Sequence, residues 1–179
     1  MTNSIQLACR CGTVRLEAIG APISSPECCC NSCREAGDLL EALPGARPFR
    51  EPIGTTRYVM QRKDRVKFLS GMEHLRSLRL TPESGSRRIV ATCCNTPVCL
   101  EFKGGHWLSL YGALWPAGSL PRPDLRTMAG DLPDASVLPA DVPNLKGQSG
   151  SFFAKLLFAW VAMGFRVPKL GFEPAELRL

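Results

Sequence analysis

A chain of 179 residues with 45% hydrophobic side chains has enough apolar material for one ordinary domain with an appendage, which excludes disorder throughout. A formal charge of +6 would suit nucleic acid or an acidic membrane surface, but the arginines are scattered and Arg62-Lys63 and Arg87-Arg88 are the only adjacent basic pairs, so the charges read as a solvated face and no nucleic-acid partner is expected. Nine cysteines, an odd number, follow a first stretch (Met1 to Gln6) with no basic-then-apolar leader, which predicts a reduced, cytoplasmic protein using thiolates for metal rather than a disulfide framework. Seven thiolates on two zinc ions would lower the formal +6 to about +3.

In chain order, Cys9-Arg10-Cys11-Gly12 is a compact knuckle in which glycine lets the backbone turn while both sulfurs face one ion. Thr13 to Ala18 then alternates polar and apolar residues, the period of a half-buried strand. Gly20-Ala21-Pro22 and Ser24-Ser25-Pro26 form an irregular link into Cys28-Cys29-Cys30-Asn31-Ser32-Cys33. Here Cys28, Cys30 and Cys33 can turn inward onto one ion, while Cys29 is either a bystander or a spare thiolate. Leu39, Leu40 and Leu43 give residues 34–43 a helical spacing that Pro44-Gly45 ends, so the loop opens a helix whose N-terminus favours thiolate at Cys30 and Cys33.

Between Gly54 and Tyr111 the sequence predicts six short strands, at residues 56–60, 66–69, 75–80, 87–92, 98–102 and 107–111, most of them separated by turn residues. Cys93-Cys94-Asn95-Thr96-Pro97 falls in one of those turns and makes a second knuckle facing the first. Cys99 alternates with Val98 and Leu100 as a half-buried thiol; His74 and His106 lie outside the knuckles and read as surface or packing histidines. Trp107, Tyr111 and Trp115 read as packing aromatics, and Arg34 and Arg57 as surface cations. Residues 116–150 hold six prolines and four glycines, an arm or linker. Residues 151–165 form an apolar helix with Ser151 as N-cap and Lys155 as sole charge. That run is shorter than the roughly 20 residues a membrane-spanning helix needs. It reads as packing on the chain's own core or on a dimer mate, in preference to lying on a membrane surface.

The cysteines divide in two. Cys9, Cys11 and Cys94, with Cys93 as candidate fourth ligand, make a closed structural zinc site; Cys28, Cys30 and Cys33 leave one coordination position open, as catalytic zinc sites do. Cys9-x-Cys11-Gly12-x-Val14, Cys28-x-Cys30-x-x-Cys33-Arg34 and Cys94-x-Thr96-Pro97, in that order, resemble the signature of the glutathione-dependent formaldehyde-activating enzyme family over residues 5 to 115. The resemblance implies a mainly β fold, the β-tent, in residues 1–115, ahead of the arm at 116–150 and the helix and tail at 151–179. It also implies a four-cysteine structural zinc, a second zinc on the three-cysteine loop, and carbon–sulfur lyase chemistry on an adduct of glutathione and formaldehyde. The chain departs from the family's pattern where Ala91 stands three before Cys94, where Asn95 replaces glycine, where Cys29 replaces a frequent histidine, and in the tail beyond Trp115; the Cys-Cys-x-Thr-Pro turn looks like a bacterial branch of the superfamily. Two functions follow: a lyase-like enzyme whose open three-thiolate site, Cys28, Cys30 and Cys33, binds a thiol such as glutathione, or a non-catalytic zinc module whose C-terminal helix mediates association.

Overall fold

The computed structural model describes residues 3–178; Met1 and Thr2, where the leader reading begins, lie outside the described residues. The fold is mainly β. A three-stranded antiparallel sheet runs in the order β1 (Ser4–Ala8), β2 (Arg15–Ile19), β5 (Val66–Ser70). An eight-stranded sheet contains β3 (Pro26–Cys28), β4 (Thr56–Arg62), β6 (Leu75–Leu78), β7 (Ser86–Ala91), β8 (Thr96–Phe102), β9 (Trp107–Tyr111), β10 (Leu125–Thr127) and β11 (Ala175–Glu176), in the order β10-β3-β4-β9-β8-β7-β6-β11. Its inner pairs are antiparallel, and its two outermost strands, β10 and β11, join it in parallel. The main core draws on both sheets: Leu7, Val14 and Leu16 pack with Leu75, Ile89, Val98, Leu108 and Leu110.

The six strands expected between Gly54 and Tyr111 are β4 to β9, each within two residues of the expected bounds. Alternation marked them because one face of each is covered. The strand expected over residues 13–18 starts later, at Arg15, because Thr13 and Val14 close the knuckle turn: the Cys9 N–H donates to the Val14 carbonyl at 2.9 Å. The link before the cysteine loop is not wholly irregular, since Pro26–Cys28 pairs with β4 on one side and β10 on the other.

Helix α1 spans Asn31–Glu41, three residues earlier than the leucine spacing suggests. The Cys30 carbonyl accepts from both Cys33 N–H and Arg34 N–H, so the Cys-x-x-Cys turn is itself the first turn of the helix. Leu40 anchors α1 against Leu78 and Val90. Helix α2 spans Gly150–Ala162. Its N-cap is Ser149, not Ser151, because the Ser149 hydroxyl accepts the Phe152 N–H. Its end is set by Gly164 and Phe165 in the left-handed region, with the Phe165 N–H donating back to the Trp160 carbonyl at 3.0 Å, a Schellman-type stop that ends the helix before the expected Phe165.

Candidate metal centre

The first knuckle is held by its own turn, with Gly12 at φ 77, and by β2. The second sits between β7 and β8. The register of the two sheets brings them together: the Sγ atoms of Cys9, Cys11, Cys93 and Cys94 all lie within 4.8 Å of one another. Separations are 3.5 Å for Cys9–Cys11, 3.7 Å for Cys9–Cys93, 3.4 Å for Cys11–Cys93 and 4.0 Å for Cys93–Cys94. Four sulfurs bound at 2.3 Å around a tetrahedral zinc sit about 3.8 Å apart, so the donor set fits such an ion. Backbone and hydroxyl donors support it. Val14 N–H reaches the Cys9 sulfur at 3.3 Å, and Thr96 Oγ1 lies 3.1 Å from the Cys94 sulfur. The Thr13 hydroxyl and N–H lower the Cys11 thiol to about 6. Asn95, where the resembled family has glycine, adopts a left-handed φ of 51 that asparagine tolerates, and its side-chain amide donates to the Pro44 carbonyl at 3.0 Å.

The second group is Cys28, Cys30 and Cys33, again within 4.8 Å of one another. Cys28 comes from the end of β3, Cys30 is the N-cap of α1 and Cys33 lies in its first turn. The Cys30 sulfur accepts from Cys28 at 3.4 Å and lies 3.3 Å from the Ser32 hydroxyl. The Cys28 thiol, then the Cys33 thiol, hold Cys30 far below the usual thiol range, while the bond to Cys30 pushes Cys28 up. Cys33 faces the Tyr58 hydroxyl at 3.4 Å. Burial keeps that phenol protonated, so its O–H would donate to the Cys33 sulfur once a bound metal displaces the proton of that thiol, whose own pKa is raised to about 11. Arg88, only 2% exposed, donates to the Ser32 carbonyl at 2.9 Å and places a buried cation beside the loop.

Much of the support for this loop comes from residues 116–150, which the sequence leaves open between a linker and an extended arm wrapping the core, and which pack on the body as an arm. Strand β10 pairs with β3, and Cys29 N–H donates to the Thr127 carbonyl at 3.0 Å. The Asp131 carboxylate accepts the Asn31 N–H at 3.0 Å. Behind the loop, buried Glu27 accepts from the Thr55 hydroxyl and from Arg126 Nε at 3.0 Å, and Arg126 also reaches Asp141 and the Pro139 carbonyl. No periodicity announces a three-residue strand, and Arg126 stands in the sequence as one cation among many.

The remaining cysteines stay apart from both groups. Cys29 is fully buried against Ala129 and Leu138, and Cys99 is fully buried in the main core rather than half-buried. His74 is partly exposed beside Glu73, and His106 is buried, with Nε2 2.9 Å from the Leu156 carbonyl and its ring stacked on Trp160. Arg34 bonds to the Asp131 carbonyl and Arg57 to the Pro121 carbonyl, so both fasten the arm.

The three-cysteine group lines a cavity of about 710 Å³ whose other walls include Tyr58, Arg88, Lys103, Trp107 and the α2 residues Phe152 and Leu156. The arm and α2 therefore build one side of it. A larger depression of about 1010 Å³ overlies the Lys63–Glu101–Arg87–Glu173 chain of ion pairs and has no cysteine in its walls.

No family model matches the chain, and no curated protein matches it. A crystal structure of a Rhodobacter sphaeroides protein is similar to it, with 16% identity and a TM-score of 0.47, over 78% of this chain and 99% of that one.

Proposed function

We propose that the chain is a zinc protein of the carbon–sulfur lyase type: Cys28, Cys30 and Cys33 hold one ion with a position left for a thiol substrate such as glutathione, and Cys9, Cys11, Cys93 and Cys94 hold a structural ion. The observation that carries this reading is the contrast between the two sulfur groups. One has four members at tetrahedral spacing; the other has three members on the wall of a cavity.

Zinc at the three-cysteine loop would supply a Lewis acid that takes a thiol sulfur as its thiolate and eases making or breaking of the adjacent carbon–sulfur bond. The chain's own groups prepare that site. Three thiolates outweigh a dication by one charge, and the buried Arg88 guanidinium offsets it. The Tyr58 O–H fixes the direction of the Cys33 sulfur. Lys103 presents a cation on the cavity wall for a carboxylate of a peptide-like thiol, while Trp107, Phe152 and Leu156 give it an apolar side.

The test is exchange NMR on metal-loaded protein with glutathione and formaldehyde. The proposal predicts interconversion of adduct and free thiol faster than in buffer, and loss of that acceleration in Cys30→Ser. No acceleration by the fully loaded wild type would count against this substrate pair.

A further inference from the structure

Helix α2 was expected to bury its apolar surface on the chain's core or on a mate, but one chain uses only one side of it. Phe152, Leu156 and, just beyond the helix end, Met163 are buried against the body of the protein. On the outer side Phe153, Leu157, Phe158 and Val161 are exposed, Phe158 at 73%, and Phe165 and Val167 extend the same apolar character past the helix stop. An aromatic-rich exposed face of this kind marks an interaction surface.

Charge identifies the occupant. Between Asp141 and Glu173 there is no acidic residue, while Lys146, Lys155, Arg166 and Lys169 are all present. Of the acids on other elements near the segment, Asp124 pairs with Lys155 at 2.9 Å, Asp64 with Arg62 at 2.6 Å and Glu101 with Lys63 and Arg87, while Glu83 faces the depression that Val167 and Lys169 also line, away from the exposed side of α2 itself. Arg166 and Lys169 are exposed beside the apolar face. Two copies of α2 meeting about a two-fold axis would bring together segments that contain cations and, over residues 142–172, no acid to oppose them. An apolar aromatic face flanked by cations is the composition of a helix that lies in the boundary of a bilayer, with its cations among anionic headgroups.

We propose that α2 and the segment through Lys169 dock the protein on a lipid surface carrying anionic headgroups. Among the described residues no helix is long and apolar enough to cross a membrane, so the contact is peripheral. The fold is suited to it: the His106 Nε2–H donates to the Leu156 carbonyl at 2.9 Å and the ring stacks on Trp160, which clamps the inner side of α2 and leaves the outer side free. Phe153 is both exposed and on the wall of the three-cysteine cavity, so docking sets that cavity beside the lipid boundary. The inference stands on the face and its charges, whether or not the cysteines carry out lyase chemistry.

The experiment is co-sedimentation of the full chain with vesicles of phosphatidylcholine alone and of phosphatidylcholine with an equal part of phosphatidylglycerol, at low and high salt. The wild type should pellet with the anionic vesicles, less so in high salt. The double variant Phe158→Asp, Val161→Asp, whose side chains are exposed, should lose at least about tenfold in partitioning, since charged groups are costly at the apolar boundary. Arg166→Glu with Lys169→Glu should weaken binding to the anionic vesicles alone, and it keeps the test decisive if the first variant melts abnormally. Absence of the wild type from the anionic pellet, or equal partitioning by both variants, would overturn the proposal. So would a wild-type dimer by light scattering that Phe158→Asp, Val161→Asp converts to monomer without any vesicle binding, because it would assign the face to a second copy.

Discussion

Asn95 shows how a departure from a motif can keep the motif's geometry. The rear knuckle needs a residue with positive φ immediately after Cys94, and this chain supplies asparagine, which visits that region at lower cost than most residues and bonds to Pro44 besides. Asn95→Ala should therefore destabilise the protein by about 1 kcal/mol, while Asn95→Gly should cost less, since glycine adopts the same backbone freely. Urea unfolding of the two variants distinguishes them, and the reverse order would contradict the backbone account. Gly71 constrains the front knuckle in a related way: at φ 78, a Cβ there would sit 2.6 Å from the Thr13 carbonyl oxygen. Cysteine spacing made these turns legible in the sequence, whereas the contact of Gly71 with Thr13 depends on β5 lying beside β2.

At the scale of elements, the three-cysteine loop is a strand end and a helix start gripped by the arm. Glu27 and Arg126 carry that grip as a buried pair, with side chains only 4% and 5% exposed. Glu27→Ala leaves Arg126 buried with part of its partnership gone, and breaking such a pair costs about 3 kcal/mol, read as a lowered urea midpoint. Stability equal to wild type would mean that the arm does not brace the loop through this pair. Strands β4 to β9 were readable because alternation reports a covered face. Strands β3, β10 and β11, of two or three residues, were not, since they are too short for a period and are defined by their neighbours. The start of α1 was hidden for another reason. Its first turn is made of cysteine, asparagine and serine, whose side chains serve the site rather than a helical stripe.

Across the whole molecule, two sulfur groups occupy different mechanical positions. The four-cysteine group ties the small sheet to the large one at the ends of β1 and β7, and the three-cysteine group lies where α1, the arm and α2 enclose a cavity. Sequence separated these groups by spacing alone, but the walls of the cavity come from residues far apart in the chain, Tyr58, Arg88, Trp107 and Phe152 among them, which only the folded topology collects. The central claim is that both groups hold metal independently of each other. Elemental analysis of zinc per chain, in wild type and in Cys30→Ser purified under reducing conditions, tests it most directly: the account predicts two zinc ions falling to one, and a single zinc in both proteins would contradict it.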